Sequence, residues 1–173
     1  MGDLPRVGIS RCLLGDQVRY DGGHKHEPAL IDILGANVEW VPVCPELEVG
    51  MGVPREPVQL AAFGGDRRVR LVGADSGADW TDRMEAWAAQ RIAALHAAGL
   101  AGFVLKSRSP SCGPHDVAVR SGGSGPGLFA LALVTAMPGL PVEDEEQLRR
   151  PDARGLFLER VIARHRGWQR SHQ

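Results

Sequence analysis

The chain has 173 residues, 43% of them hydrophobic and 24% charged, with 22 Gly, 12 Pro and a formal net charge of −1. That length and mix describe one turn-rich globular domain, or one domain with an appendage, large enough to bury a core without disulfide staples; a disordered or collagen-like chain is excluded. No apolar run approaches the roughly 20 residues a helix needs to cross a bilayer, and the near-neutral balance gives the whole chain no electrostatic case for nucleic acid.

The N-terminus passes from Met1-Gly-Asp-Leu-Pro-Arg straight into Val7-Gly-Ile, without the basic and apolar regions of an export leader, and a cytoplasmic protein is expected. Arg6 to Ser10, Val38 to Val43 and Ala101 to Leu105 are short apolar runs followed by turn residues, the pattern of buried strands. Pro28 to Leu34 reads as a short helix. Val69 to Gly73 reads as an extra strand. Trp80 to Ala98 carries apolar residues at helical spacing, with Asp79 or Thr81 as cap and Gly99 as stop. Gly127 to Ala136 is a further helix ended by Pro138-Gly139, Leu140 to Val142 the next strand, and Pro151 to Arg166 an amphipathic helix that starts on Pro. The alternation predicts an α/β fold, a mostly parallel sheet with helices on both faces. Two stretches, Arg11 to Glu27 and Cys44 to Arg68, are longer than ordinary connections, rich in Gly, Pro and charge, and each sits beside a cysteine.

Three cysteines is an odd number, which in a reducing compartment points to metal or catalytic roles rather than bridges. Cys12 and Cys44 follow the first two expected strands closely, and Cys112 lies seven residues past the third. Ligands in open parallel sheets bind beyond the strand carboxyl ends, so the three can converge on one site. Their settings, Ser10-Arg-Cys-Leu-Leu-Gly, Pro42-Val-Cys-Pro-Glu and Ser109-Pro-Ser-Cys-Gly-Pro, are turns rather than element interiors. A structural zinc site wants four ligands and usually a Cys-x-x-Cys pair, which is lacking, although His24, His26 or His115 can complete a smaller set. An iron-sulfur cubane is the other candidate: with three protein thiolates it leaves one thiophilic iron open. A zinc-holding, RNA-interacting module without catalysis is thus the alternative to an enzyme.

Ser10-Arg-Cys-Leu-Leu-Gly, Arg19-Tyr-Asp-Gly-Gly-His-Lys, Glu39-Trp-Val-Pro-Val-Cys-Pro-Glu and Leu105-Lys-Ser-Arg-Ser-Pro-Ser-Cys-Gly together resemble the thiouracil desulfidases, formerly domain of unknown function 523. The resemblance runs in order over essentially the whole chain. It implies an enzyme that removes sulfur from 4-thiouracil, with a 4Fe-4S cluster held by Cys12, Cys44 and Cys112 and one open iron for the substrate sulfur. It also implies Glu46 as catalytic acid/base and Ser109 as the assisting hydroxyl. Gly127-Leu-Phe-Ala-Leu-Ala-Leu, Leu140-Pro-Val-Glu-Asp-Glu and Pro151-Asp-Ala-Arg-Gly-Leu-Phe-Leu-Glu-Arg-Val are similar to the desulfidase half of longer proteins acting on 4-thiouridine in transfer RNA, which carry a further RNA-handling domain.

On that basis residues 1–145 are expected to form the desulfidase domain, and 146–173 a basic helix that begins a linker. That tail sets seven Arg between Arg149 and Arg170 against Asp152 and Glu159. Ser111 shares one side of an extended stretch with Ser109 and is the alternative hydroxyl. The two lysines of the chain, Lys25 and Lys106, both flank the cysteine loops, where an ammonium suits an anionic nucleotide or sulfide. Asp21, in Tyr20-Asp-Gly-Gly, reads first as a turn residue and second as a pyrimidine contact. The expected partners are a thiolated pyrimidine or thiolated transfer RNA.

Overall fold

The computed structural model describes residues 3–172. The first three expected strands form, as β1 (Arg6–Ser10), β2 (Glu39–Val43) and β5 (Leu100–Leu105), and they are joined by β8 (Val142–Asp144) in a four-stranded sheet of order β2-β1-β5-β8. Every pairing in this sheet is parallel. Because the chain moves from β1 to β2 on one side and returns to β5 on the other, the order reverses beside β1, which opens a crevice at the strand carboxyl ends.

Both faces of the sheet are covered, as expected. Helix α1 (Pro28–Gly35) and the long α6 (Pro151–Ser171) cover one face, where Leu30, Leu34, Phe157 and Val161 pack with Val7, Ile9 and Val104. Helices α3 (Thr81–Ala97) and α4 (Leu128–Ala136) cover the other, burying Ala88, Ile92, Leu95, Phe129 and Leu133 against Phe103 and Leu105. Neighbouring residues Phe103 and Val104 fall into opposite cores, as the period of two in a strand requires. The Phe129 ring meets Phe103 edge-on at 5.6 Å. Among the described residues no helix is long and apolar enough to cross a membrane.

A second sheet, of order β4-β3-β6-β7, contains the extra strand expected at Val69 to Gly73 as β4, while β3, β6 and β7 lie in regions that read as loop from the sequence. Strand β3 (Val58–Ala61) pairs antiparallel with β4 (Arg70–Gly73) and parallel with β6 (Val117–Arg120), and β6 turns back antiparallel onto β7 (Ser124–Gly125). Its strands are two to four residues long, too short for a periodic pattern, and become strands by closing over Met84 and Trp87 of α3. The long Cys44 to Arg68 connection is therefore no free loop: it contains α2 (Pro45–Glu48) and β3. The C-terminal helix likewise extends past the expected Arg166 to Ser171.

The basic helix α6 is part of the main core. Phe157 and Val161 are fully buried, and a Cβ on Gly102 of β5 would come within 2.6 Å of Val161, so sheet and helix touch with no space for a methyl group. Phe157→Ala is accordingly expected to cost about 3–5 kcal/mol and to lower the melting temperature by roughly 6–20 °C. Thermal unfolding of the variant checks this; a change below about 1 °C would mean that α6 is an appendage.

Candidate active site

Each cysteine lies just beyond the carboxyl end of a parallel strand. Cys12 occupies a 3-10 turn, Arg11–Leu14, directly after β1; its carbonyl accepts from the backbone N–H of Lys25 at 2.8 Å, which folds the Arg11 to Glu27 loop back over it. Cys44 follows β2 and precedes α2, whose Glu48 accepts from the Cys44 N–H at 3.3 Å and is held in turn by Arg91 of α3 at 3.1 Å. Cys112 follows β5 in a tight turn whose close approach to β6 and to the start of α4 requires two glycines. A Cβ on Gly113 would sit 2.4 Å from Val117, and one on Gly127 would sit 2.6 Å from the Ser111 backbone. Within that turn Arg108 adopts a left-handed backbone, φ 59°, which non-glycine residues seldom take.

The three thiols are free, buried and line one cavity of about 580 Å³. Burial pushes Cys12 up to about 11, with the neighbouring Cys44 adding to the rise and Lys106 and Arg19 opposing it. Burial also raises Cys44, against a backbone N–H from Leu47. Cys112 is raised by burial and by both other cysteines, against a bond from the Ser10 hydroxyl. Mutual repulsion among the three is the electrostatic mark of their proximity. Neutral and shielded, they are poor nucleophiles.

The lining of the cavity brings together most of the residues singled out from the sequence: Glu46, Ser109, Ser111, Lys25, Lys106 and the three cysteines. Asp21 stands apart. Its carboxylate accepts from the Gly23 N–H at 2.9 Å, it is not among the lining residues, and that bond with the nearby Arg19 lowers its pKa. Of the histidines, His26 lines the cavity, whereas His24 and His115 do not. Among the described residues no three His, Cys, Asp or Glu side chains are spaced to hold a single metal ion. That is the spacing a mononuclear zinc site needs, whereas in a cubane each thiolate binds its own iron and the ligands stand further apart.

The two serines have different partners. Ser111, fully buried, donates its hydroxyl to Glu46 Oε1 at 3.0 Å. Ser109 Oγ accepts from the backbone N–H of Cys112 at 3.0 Å and of Ser111 at 3.3 Å, which shapes the cysteine turn and leaves its own proton for another acceptor. Glu46 Oε2 takes two bonds from Arg55, at 2.8 and 3.0 Å.

Three of the cavity residues that were not singled out from the sequence hold its polar groups in place. Ser10 Oγ accepts from the Lys106 N–H at 3.0 Å and lies close enough to Cys112 to oppose the rise in its pKa. Arg55 reaches Glu46 from a stretch that read as loop. Glu145, 1% exposed at the start of α5 (Glu145–Leu148), takes the Lys106 ammonium and the Ser107 hydroxyl on Oε1 and the Ser107 N–H on Oε2. The Leu140-Pro-Val-Glu-Asp-Glu stretch contained Glu145, yet nothing local marks it as the partner of a lysine 39 residues away.

The profile of a family described as 2-thiouracil desulfurase matches residues 7–145. The chain belongs to this family. It is 32% identical over 109 residues to the uncharacterised protein YbbK of Bacillus subtilis (strain 168), a match over 61% of this chain and 71% of that protein. Among solved structures it is similar to the [4Fe-4S]-dependent thiouracil desulfidase TudS, at 32% identity and a TM-score of 0.66, over 84% of this chain and 93% of that one. The match of the desulfurase family spans the strands β1, β2 and β5 and all three cysteines.

Burial alone would raise the Glu145 pKa, but the bonds from Lys106 and Ser107 outweigh it and hold the carboxyl below its ordinary 4.5. The ionised carboxylate therefore stabilises the fold above about pH 4.5, and that contribution disappears as pH falls through the depressed folded value. Glu145→Gln, which leaves the Lys106 ammonium without its counter-charge, is expected to cost about 3 kcal/mol at pH 7. In urea unfolding the gap from wild type should narrow as pH falls below about 4.5; a gap independent of pH would contradict the ion pair.

Proposed function

We propose that the protein is a hydrolytic desulfidase that converts 4-thiouracil, as free base, nucleotide or 4-thiouridine in transfer RNA, to uracil and sulfide in the cytoplasm. The observation that carries this reading is the convergence of three buried thiols, a carboxylate and two hydroxyls on one cavity. The donor set fits an iron-sulfur cluster: three soft sulfurs are present, and the chain has no fourth cysteine to close the last iron. Cys12, Cys44 and Cys112 would hold a 4Fe-4S cluster, which when bound supplies a thiophilic Lewis acid for the sulfur that has to leave.

The protein groups handle water and protons. Glu46 accepts a proton from water as its oxygen adds to C4, and returns a proton to the departing sulfide, so that thiouracil and water become uracil and hydrogen sulfide. Ser111 holds Glu46 Oε1 in the cavity, and Ser109, with its own proton uncommitted, donates to charge that develops on the ring. Lys106, tied to Glu145, keeps a positive charge on the cavity wall, where an anionic substrate or sulfide is favoured. Lys25 and Arg19 also line the cavity, and with Lys106 they support a nucleotide as substrate over the bare base; Arg108 lines it too but is bonded to Glu146. The Arg residues from Arg149 to Arg170 offer less to RNA than their number suggests: Arg149 bonds Glu27, Arg150 bonds Asp152, Arg154 bonds backbone carbonyls and Arg164 bonds the Leu100 carbonyl.

Anaerobic reconstitution tests the reading. The loaded protein is expected to contain iron and inorganic sulfide and to bleach the thiouracil absorbance with release of stoichiometric sulfide. Zinc without inorganic sulfide, or a loaded protein inert toward base, nucleotide and thiolated transfer RNA alike, would sink it. Glu46→Gln should keep the cluster while kcat falls about 10²–10⁴-fold, whereas replacing any one of the three cysteines with Ala should abolish both cluster and turnover.

A further inference from the structure

We infer that Arg55 is a positioning residue for Glu46: its guanidinium occupies one carboxylate oxygen and leaves the other to take the proton from water. The inference rests on the desulfidase reading above.

Arg55 Nε and Nη2 both donate to Glu46 Oε2, at 3.0 and 2.8 Å, so two charge-assisted bonds converge on a single oxygen. The pair is well shielded, with 7% of the Arg55 side chain and 15% of the Glu46 side chain exposed. The remaining bonds of the guanidinium fix it in place: Nη1 donates to the Gly52 carbonyl at 2.6 Å and Nη2 to the Val18 carbonyl at 2.9 Å. The backbone N–H of Arg55 donates to the Tyr20 carbonyl at 2.9 Å. Val18 and Tyr20 belong to the loop after Cys12, and Gly52 to the loop after Cys44. Arg55 thus sits where the two cysteine loops meet and cannot swing away without breaking contacts to both.

For the base this has a direct consequence. With Oε2 committed to the guanidinium, Oε1 is the oxygen with capacity left: it accepts one neutral bond, from Ser111, and keeps a lone pair for water. The terminal torsion of a free glutamate is broad, so without the guanidinium the carboxylate plane turns more freely and the base loses its aim. Lysine cannot substitute, because a single ammonium lacks the fork that reaches Glu46 and both loop carbonyls together.

The test compares Arg55→Lys, which keeps a cation in the buried space, with wild type, Glu46→Gln and the double variant, all loaded anaerobically. Arg55→Lys is expected to lower kcat on a thiouracil nucleotide about 100-fold, with KM changed less than about three-fold and iron and sulfide content unchanged. In the Glu46→Gln background the same substitution is expected to cost less than about two-fold, because a residue that acts through Glu46 has nothing left to act on. Arg55→Ala should regain part of its kcat on addition of guanidinium ion. Equal losses in both backgrounds, an unchanged kcat in Arg55→Lys, or a loss confined to KM or to cluster content would overturn the inference. An inert wild-type holoprotein would instead remove the desulfidase reading, and this inference with it.

Discussion

Three buried thiols that repel one another as they ionise have to be held at one place by the backbone around them. Parallel strands solve this: β1 lies between β2 and β5, so three chain segments leave the sheet side by side on the same edge. Each cysteine is then secured through main-chain bonds. The Cys12 carbonyl holds Lys25, the Cys44 N–H is taken by Glu48, and the Cys112 N–H is taken by Ser109. None of these bonds uses a sulfur, so the arrangement leaves the thiols for a bound group and is formed by the chain itself. Preorganisation of this kind places the ordering cost in folding rather than in loading.

Two shielded ion pairs flank the thiols and work in opposite senses. In one, Glu46 is paired with Arg55; in the other, Lys106 is paired with Glu145, and all four line the cavity. Each presents a working charge backed by a counter-charge fixed to the scaffold. Net stabilisation from such pairs is small, since desolvation offsets attraction, but removal of either partner leaves a costly lone charge. Their value to a reaction lies in direction: the carboxylate and the ammonium are each pinned in one orientation. Ser10 and Ser107 tie the second pair to the ends of β1 and β5, so the charge pattern and the sheet are one structure.

Much of the fold was readable because long elements carry repeated signals. The three apolar strands, the helix after Trp80 and the helix from Pro151 all appear, and the parallel sheet with helices on both faces is the one expected. Of the second sheet only β4 was readable, as the strand expected at Val69 to Gly73. Val58–Ala61 is four residues in a Gly- and Pro-rich stretch, and its partners begin 9 and 56 residues further on, so its state depends on what closes over it. Helix α6 shows a different limit: its Arg residues read as a solvated basic face, and only Phe157 and Val161, two residues among many, tie its other face to the core.

What the sequence determined by itself is local. Turn chemistry around Cys12, Cys44 and Cys112, the order of strands and helices, and the family to which the chain belongs are all properties of neighbouring residues and their spacing. The tertiary structure decided the pairings: that Ser111 rather than Ser109 bonds Glu46, that Asp21 is spent on its own turn, and that Arg55 and Glu145 are the partners of Glu46 and Lys106. Ser111 and Glu46 are 65 residues apart, and Lys106 and Glu145 are 39 apart. A hydrogen bond requires its partners within about 3 Å and in alignment. Only the closure of the sheet and the packing of α3, α4 and α6 around it bring such distant groups to that distance.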